Sequence, residues 1–282
     1  KDTVQDRILA EMMARMIEAR GMAVERRTDL GDSADVFQAL RAGAVDVYPE
    51  YTGTALALLG APPEADRAAV RARLEALGAA LGLELLDPFG FESRFTPVTR
   101  RTLAQAEGIA TLSDLARRAG DLRLGVSRRF AERPQDGLAA FLERFGLDFR
   151  DVAVVAEDRR EELYAMLVEE RIDVMIGFST DPQIADFGLV ALAVDQPFFP
   201  AYEAAPLARA AALETHPALR EALAPLAGAI DAPLLRTLVR QVQVGGRTPH
   251  AVAARALARL GLSEGADAAP EIPLAIAIEH GE

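Results

Sequence analysis

Residues 37–51 read FQALRAGAVDVYPEY, and residues 164–178 read YAMLVEERIDVMIGF. In register, the two stretches share a leucine, an apolar-Asp-Val core and a closing aromatic residue, which is Tyr51 in the first and Phe178 in the second. Small hydroxyl residues follow each closing aromatic: Thr52 and Thr54 in the first copy, Ser179 and Thr180 in the second. Two similar units that each end in an aromatic ring predict two similar lobes that face one ligand.

The composition limits the classes of partner. At 282 residues, of which 50% are hydrophobic and 26% charged, the chain is long enough for one large domain or for two lobes. The formal net charge of −12 argues against nucleic acid and against an anionic membrane surface, because both select basic surfaces. The absence of cysteine excludes disulfides, thiolate metal sites and a cysteine nucleophile.

No targeting or membrane segment is visible in the sequence. No stretch approaches the roughly 18 apolar residues of a membrane span, and no signal peptide pattern occurs. A helical pattern begins almost at the first residue, with apolar side chains on one stripe of residues 4–20. We therefore expect a mature or trimmed product.

Short strands that alternate with helices predict an α/β fold with mostly parallel sheets. The predicted strands are 22–26, 44–47, 83–86, 123–126, 152–156, 172–177 and 189–193. Residues 89–99 are expected to form an apolar, turn-rich segment, and residues 204–262 are expected to be mostly helical. The apolar run at 272–278 has no assigned role.

Tyr51 is predicted to lie just past the carboxyl end of a strand, where it opens a helix. In open α/β sheets, ligands bind in the crevice outside those strand ends. The segment Thr52-Gly53-Thr54 adds hydroxyls and amide donors at a helix start, which suits an anionic group. A strand–helix turn with a packed tyrosine is the structural alternative, but the recurrence of the pattern at residues 178–181 favours a ligand site.

Two further segments carry side chains suited to a ligand, and each has a structural alternative. Arg133, in the turn of residues 133–137, can clamp a carboxylate with its guanidinium fork, or can be one surface arginine among several. The run at 198–202, FFPAY, is unusually aromatic for a loop. It is predicted to be a buried crossover, with a ligand wall as the alternative.

The sequence offers no catalytic constellation. The 3 histidines lie in the C-terminal third without a metal-binding spacing such as His-Glu-x-x-His. Neither a Gly-x-Ser-x-Gly elbow nor a phosphate-binding loop occurs. The acidic pairs at 157–158 and 161–162 are most simply the solvated start of a helix. The sequence therefore favours a binding protein without metal or cofactor over an enzyme.

At these motifs the chain resembles the bacterial substrate-binding proteins of osmoprotectant ABC transporters, the glycine betaine/carnitine/choline type. The resemblance covers nearly the whole chain in family order, and the run YPEYTGT with the downstream Ser-Thr-Asp is its most specific part. The matching segments are LGxS at 30–33, GAVDVYPEYTGT at 43–54, TLSDL at 111–115, FxxRPxDG at 130–137, FSTD at 178–181 and FFPxY at 198–202.

The resemblance implies a two-lobed periplasmic-binding-protein fold of type II, with two mixed sheets flanked by helices and a ligand cleft between the lobes. Residues 1–97 and 200–282 would form one lobe and residues 98–199 the other, with hinges near 95–100 and 195–202. The family's ligand box holds a quaternary ammonium among aromatic rings, with an arginine for the ligand carboxylate. The residues that match by motif are Tyr51, Phe95, Phe178 and Tyr202 as rings, Arg133 as the clamp, and Thr52, Thr54 and Thr180 as polar contacts.

Two departures from the family pattern bear on the identity of the ligand. Residues 92–95 read ESRF where the family often has Asn-Asn-Thr-Tyr, and Phe178 stands where the family often has tyrosine. Phenylalanine keeps a π face but lacks the hydroxyl, while Glu92 and Arg94 add charges at the edge of the box. Glu92 and Arg94 are therefore candidate specificity residues, and a receptor for a betaine-like amino acid derivative such as ergothioneine is the alternative.

The resemblance also implies where and with what the protein works. It implies an extracytoplasmic receptor, in the periplasm or at the cell surface, that is free, membrane-anchored or fused to a permease. We expect a monomer that closes by hinge motion on a small zwitterionic or cationic ligand and delivers it to an ABC transporter permease. An enzyme on the same scaffold would need two acids and a nucleophile that converge in the cleft, and the sequence shows none.

Overall fold

The computed structural model describes residues 3–27, 30–196, 198–262 and 274–277. The strands are β1 (Val24–Arg27), β2 (Val47–Tyr51), β3 (Leu83–Leu85), β4 (Phe95–Arg100), β5 (Arg123–Ser127), β6 (Asp151–Val155), β7 (Val174–Phe178), β8 (Leu189–Ala191), β9 (Ala204–Arg209) and β10 (Leu274–Ala277). The helices are α1 (Val4–Glu18), α2 (Ser33–Arg41), α3 (Thr52–Leu58), α4 (Arg67–Ala79), α5 (Arg101–Glu107), α6 (Leu112–Ala116), α7 (Arg128–Glu132), α8 (Leu138–Phe145), α9 (Glu162–Val168), α10 (Gln183–Asp186), α11 (Ala210–Thr215), α12 (Ala218–Leu223), α13 (Ala232–Gln243) and α14 (Pro249–Arg259).

The chain divides into two units, each of which contains one sheet. Unit 1 comprises the described residues up to Ala61, Arg67–Glu92 and those from Tyr202 onward. Unit 2 comprises Pro62–Asp66 and Ser93–Ala201. The lobe boundaries that the sequence places after residues 97 and 199 stay a prediction.

The sheet of unit 1 has the strand order β1-β10-β2-β9-β3. Strand β10 is parallel to β1 and β2, whereas β9 is antiparallel to β2 and β3. Helix α1 packs against α13 and α14, and the hydroxyl of Thr3 caps it by accepting the N–H of Asp6. The predicted apolar stripe of α1 is buried, and it includes Ile8, Leu9, Met12, Met13 and Met16.

The sheet of unit 2 has the strand order β6-β5-β7-β4-β8. Strand β5 is parallel to β6 and β7, whereas β4 is antiparallel to β7 and β8. Its core joins α9 to the sheet through Val98, Leu163, Tyr164, Leu167, Ile172, Met175 and Leu189. Both sheets are mixed and flanked by helices, which confirms the predicted α/β fold class.

Three strands, β4, β9 and β10, lie where the sequence predicts none. The predicted helical region begins at residue 204, but Ala204–Arg209 is β9, which is hydrogen bonded to β2 and β3. Residues 95–100, expected near a hinge, form β4 inside the sheet of unit 2, with β7 and β8 as neighbours. In both segments the available pairing partners decide the backbone structure, which overrides the local propensity of the sequence.

Part of the C-terminal apolar run forms a strand in the interior of the sheet. Leu274–Ala277 lies opposite Val24–Arg27 of β1, and Ile276 lies opposite Val47 of β2. The rest of the run at 272–278, and the remainder of residues 265–282, whose role the sequence leaves open, lie outside the described residues.

The aspartates of the two repeats, Asp46 and Asp173, have matching structural roles. Asp46 forms an ion pair with Arg209 at the end of β9. Asp173 forms ion pairs with Arg100 at 3.0 Å and with Arg123 at 2.8 Å. Each aspartate directly precedes a strand of the repeat and ties the start of that strand to its neighbours. We call Asp46 and Asp173 the start carboxylates.

The start carboxylate Asp173 should make stability sensitive to acid. Burial alone would raise its pKa, but hydrogen bonds from the side chain and backbone of Arg123 and from the side chain of Arg100 lower the pKa to about 2. Because this pKa lies below the unfolded value of about 3.9, the contribution is present at neutral pH and is lost as the pH falls from about 4 toward 2. We expect urea unfolding to show a loss of about 2 kcal/mol from this group. Asp173→Asn should remove that part of the pH dependence, and an unchanged dependence would contradict the assignment.

Candidate functional site

The closing aromatic of each repeat is the last residue of its strand. Tyr51 ends β2 in unit 1, and Phe178 ends β7 in unit 2. Helix α3 begins at the next residue, Thr52, so Tyr51 opens a helix as the sequence predicts, but the strand spans Val47–Tyr51 instead of the predicted 44–47 and therefore includes Tyr51. Tyr51 is buried within the chain and Phe178 is half-buried.

In unit 1, a buried carboxylate holds the backbone of Tyr51. The Glu50 side chain is fully buried and accepts a hydrogen bond from the Tyr48 hydroxyl at 2.7 Å and another from the Tyr51 N–H at 2.6 Å. Burial, followed by the nearby charge of Glu50, raises the pKa of Tyr48 well above its ordinary value. The Tyr48 hydroxyl therefore keeps its proton and donates a hydrogen bond to the Glu50 carboxylate. Without such donors, burial of this carboxylate would be unfavourable.

The segment around Tyr202 lies beside Tyr51 and Thr52 in unit 1. Tyr51 pairs with Ala204 across β2 and β9. The Thr52 N–H donates to the Glu203 carbonyl at 2.9 Å, and the Thr52 hydroxyl accepts the Glu203 N–H at 3.1 Å. The amide of Thr52, expected to be open to an anionic group, is therefore engaged in the fold. Tyr202 itself is buried.

Two other predicted site residues of unit 1 have different surroundings. Thr54 is half-buried in the first turn of α3. Glu92 forms an ion pair with Arg67 at 2.5 Å, and hydrogen bonding to Glu92, then its charge, raises the pKa of Arg67. The charge that Glu92 adds is thus partly compensated within the same unit.

In unit 2, the rings of Phe95 and Phe178 stack on each other. The two residues are direct partners across β4 and β7, with ring centroids 4.8 Å apart and planes inclined by 27°. Phe95 also packs on Phe130 and Phe199, at centroid distances of 5.0 and 6.0 Å. The structure thus brings two of the four predicted box rings into contact.

The aromatic run at 198–202 contributes to the same cluster. Phe199 is buried, and its ring stacks on Phe141 of α8 at 5.9 Å. Phe198 packs edge-on against Phe145, one helical turn along α8, at 5.4 Å. These contacts support the buried-crossover interpretation of Phe198 and Phe199.

Asp181 accepts hydrogen bonds from several groups next to Phe178. Its carboxylate accepts the Phe178 N–H at 2.7 Å, the Tyr164 hydroxyl at 2.5 Å and two N–H groups of Arg160 at 2.8 and 2.9 Å. Burial alone would lower the pKa of Arg160, but the charge and hydrogen bonds of Asp181 raise it above its ordinary value, so the guanidinium stays charged. The guanidinium carbon lies 4.8 Å from the centroid of the Phe178 ring.

Arg133 lies beside Phe95 and is oriented by a neighbour in its own turn. Its Nε and Nη2 donate to the two carboxylate oxygens of Asp136 at 2.7 and 2.6 Å. Its guanidinium carbon is 5.6 Å from the centroid of the Phe95 ring. Because Asp136 takes the Nε–Nη2 edge, a ligand carboxylate would have to approach the Nη1 side.

The remaining predicted polar contacts lie where the strands β4 and β7 meet. The hydroxyls of Thr180 and Ser93 are 2.8 Å apart and both residues are buried. The backbone of Arg94 forms two hydrogen bonds with Ser179: its N–H donates to the Ser179 hydroxyl at 3.3 Å, and its carbonyl accepts the Ser179 N–H at 2.9 Å. In unit 2 the structure therefore brings Phe95, Phe178, Thr180 and Arg133 together.

The turn that carries Arg133 requires glycine at position 137. A Cβ there would lie 2.3 Å from the Arg133 carbonyl oxygen and 2.5 Å from that of Phe130. We expect Gly137→Ala to lower the free energy of unfolding by about 1–3 kcal/mol, because the turn must open to admit the methyl group. Thermal unfolding measures the change. The matched control is Gly120→Ala, whose Cβ would meet only Asp148 at 3.8 Å; equal stability of the two variants would contradict the interpretation.

The sequence does not predict the two carboxylates, Glu50 and Asp181, that hold the closing rings. Glu50 was part of the motif but not of the predicted site, and Asp181 ended the second motif without an assigned role. One signal was available, because a glutamate inside the buried strand VYPEY is unusual for that environment. The contribution of Arg160 and Tyr164 had no such signal, since both reach Asp181 from another element.

The described residues contain neither a candidate metal-binding cluster nor a candidate membrane-spanning helix. Within residues 3–27, 30–196, 198–262 and 274–277, no group of three or more histidine, aspartate or glutamate side chains is arranged to hold a metal ion. In the same part of the chain, none of the helices has the length and apolar character needed to cross a membrane.

Comparisons with known proteins agree with the motifs. A family model described as the substrate-binding domain of ABC-type glycine betaine transport systems matches residues 1–259. A glycine-betaine-binding protein of Pseudomonas aeruginosa is 30% identical over 264 residues, which cover 90% of this chain and 84% of the relative. A solved structure described as a glycine betaine/carnitine/choline ABC transporter is 28% identical, with a TM-score of 0.79 over 93% of this chain and 97% of the other.

One relative combines the binding domain with a membrane component. The ergothioneine transport permease/ergothioneine binding protein EgtU of Helicobacter pylori is 28% identical over 266 residues. The match covers 93% of this chain but 47% of that protein, so this chain spans about half the length of that relative.

Proposed function

The chain belongs to the family of substrate-binding domains of ABC-type glycine betaine transport systems, and from that premise we propose that it binds a small quaternary ammonium compound of the glycine betaine, carnitine and choline class. It delivers this ligand to an ABC transporter permease. The proposed ligand residues come from both units: Tyr51, Thr52, Thr54 and Tyr202 from unit 1, and Phe95, Arg133, Phe178 and Thr180 from unit 2.

The observation that best supports the proposal is that two aromatic rings of unit 2 lie close to arginine guanidinium groups. Arg133 lies 5.6 Å from the Phe95 centroid and Arg160 lies 4.8 Å from the Phe178 centroid. An aromatic face attracts a cation by about 0.5–2 kcal/mol, depending on how far both groups are removed from water. Rings that hold guanidinium groups at these distances are chemically suited to a trimethylammonium group, and an oriented arginine such as Arg133 is suited to a ligand carboxylate.

The mode of action follows the family. We propose that the two units act as the lobes of a hinged receptor, with lobe boundaries near residues 97 and 199, and that the protein acts outside the cytoplasm, free, membrane-anchored or joined to a permease. Its relatives are named as binding proteins, and we propose that this chain catalyses no reaction.

A thermal-shift panel tests the proposal. The wild-type protein is heated with glycine betaine, choline, carnitine and proline betaine, and with ordinary amino acids as negative controls. We expect at least one quaternary ammonium compound to raise Tm in a concentration-dependent way, because a ligand that binds only the folded state stabilises it by mass action. Stabilisation by another ligand class alone would refute the proposal.

The alternative ligand is ergothioneine. It is supported by the similarity to the Helicobacter pylori permease/binding protein and by the departures at Glu92, Arg94 and Phe178. Ergothioneine also carries a trimethylammonium group and a carboxylate, so the same rings and the same arginine would contact it. Including it in the panel decides between the two, since the tighter ligand produces the larger shift at equal concentration.

A further inference from the structure

The two repeats end on the same chemical arrangement, although they reach it from different sequence positions. In unit 1, Glu50 accepts the N–H of Tyr51 and the hydroxyl of Tyr48. In unit 2, Asp181 accepts the N–H of Phe178 and the hydroxyl of Tyr164. One carboxylate stands directly before its closing aromatic and the other stands after it, so the repeated feature is the contact rather than the spacing. We call Glu50 and Asp181 the end carboxylates.

Both end carboxylates are buried and therefore need their donors. Glu50 is 0% exposed and Asp181 is 7% exposed. Burying a charged carboxylate is unfavourable unless hydrogen bonds or a cation compensate it. The N–H of the closing aromatic donates to the carboxylate at each site, so the backbone position of the ring and the stabilisation of the buried carboxylate depend on each other.

In unit 2 the groups bonded to Asp181 also contact the aromatic ring of Phe178. Asp181 holds both N–H groups of the Arg160 fork, and that guanidinium lies 4.8 Å from the Phe178 centroid. Gly177 leaves the space that this arrangement requires, because a Cβ there would lie 2.7 Å from the Tyr164 hydroxyl and 3.3 Å from the Asp181 carboxylate. Phe178 has no polar atom on its side chain, so its backbone and its ring face position it: its N–H donates to the Asp181 carboxylate at 2.7 Å and its carbonyl accepts the Asp181 N–H at 3.0 Å.

We propose that Glu50 and Asp181 are positioning residues that fix Tyr51 and Phe178 for ligand binding and thereby set affinity without contacting the ligand. This inference rests on the proposed function, since it assigns the two rings to the binding site. A ring displaced by a fraction of an ångström loses part of its contact with a compact cation, and a site is only as well defined as the side chains that support it.

The start carboxylates supply the matched controls. Asp46 and Asp173 directly precede strands β2 and β7 and are held by ion pairs. They stand at the opposite end of each strand from the closing aromatic. A general loss of stability would follow from either pair, but a loss of affinity is expected only from the end pair.

The experiment compares Glu50→Gln and Asp181→Asn with Asp46→Asn and Asp173→Asn. Affinity for the quaternary ammonium compound that binds the wild type most tightly is measured by calorimetry at a temperature at which all variants are folded. We expect the end variants to bind at least about 10-fold more weakly and the start variants to stay within about twofold of the wild type. End variants that bind like the wild type, or start variants that lose as much affinity, would overturn the inference.

Milder variants cover the case in which an end variant does not fold. Tyr48→Phe and Tyr164→Phe each remove one donor from an end carboxylate and leave the carboxylate and the closing N–H in place. We expect each to weaken binding about threefold, and binding equal to that of the wild type in both would overturn the inference.

A measurement without ligand separates this inference from the proposed function. In Asp181→Asn, the N–H of Phe178 should exchange with solvent at least about 10-fold faster than the loss of global stability explains, whereas in Asp173→Asn its exchange should accelerate no more than the loss of global stability explains. If the wild type binds no quaternary ammonium compound, the proposed function fails while this result still reports on the anchoring. Unchanged exchange in Asp181→Asn would overturn the positioning role even if the ligand binds.

Discussion

Tyr51→Ala is expected to weaken binding of the tightest quaternary ammonium ligand by about 100-fold. The variant removes an aromatic face worth up to about 2 kcal/mol toward a desolvated cation, together with apolar contact area around its methyl groups. A loss of about 2.8 kcal/mol corresponds to 100-fold in Kd. Calorimetric titration of the purified variant measures it.

Two companion variants separate the role of the ring from that of the fold. Tyr51→Phe keeps the ring and should bind within about fivefold of the wild type, because only the hydroxyl is lost. Phe37→Leu changes another buried aromatic residue of unit 1 and should lower Tm without changing Kd. If Tyr51→Ala bound as tightly as Phe37→Leu, Tyr51 would not belong to the ligand site.

Arg133→Ala is expected to separate ligands by their carboxylate. We expect glycine betaine or carnitine to bind about 10- to 100-fold more weakly, since a hydrogen bond to a charged group contributes about 1.5–3 kcal/mol. Choline has no carboxylate, so its affinity should stay within about threefold of the wild type. Titrating both ligand types against the same protein gives the ratio directly.

Arg128→Ala is the matched control for Arg133→Ala, because Arg128 is an exposed arginine nearby in the sequence. It should leave both affinities unchanged. An equal loss for choline and glycine betaine in Arg133→Ala would show that the arginine supports the turn through Asp136 and does not contact a carboxylate. Unchanged affinity for both ligands would place it outside the site.

Most of the fold could be predicted because its repeats carry local signals. The alternation of strands and helices, the apolar stripe of α1 and a strand in each repeat follow from short-range patterns, although β2 spans Val47–Tyr51 where 44–47 is predicted. Strand β9 could not be predicted in this way. Its sequence AAPLAR lacks β-branched residues, and it is a strand because β2 and β3 offer hydrogen-bonding partners on both sides.

The candidate site also contains residues that the sequence predicts and residues that it does not. The rings and Arg133 lie in motifs that can be recognised from neighbouring residues. The residues that hold these rings come together through contacts between elements. Arg160 and Tyr164 lie before β7 in the sequence and Asp181 lies after it, yet both donate to the Asp181 carboxylate. Likewise, only the paired strands show that Thr52 is bonded to Glu203 and therefore has its amide engaged.

The most direct test of the central claim compares a cationic ligand with its uncharged carbon analogue. Glycine betaine and 3,3-dimethylbutanoate have nearly the same shape and the same carboxylate, as choline and 3,3-dimethylbutan-1-ol share their shape and hydroxyl. If aromatic rings recognise the quaternary ammonium, calorimetry should show at least about 100-fold tighter binding of the cation in whichever pair binds. Equal affinity within every pair that binds would contradict the account.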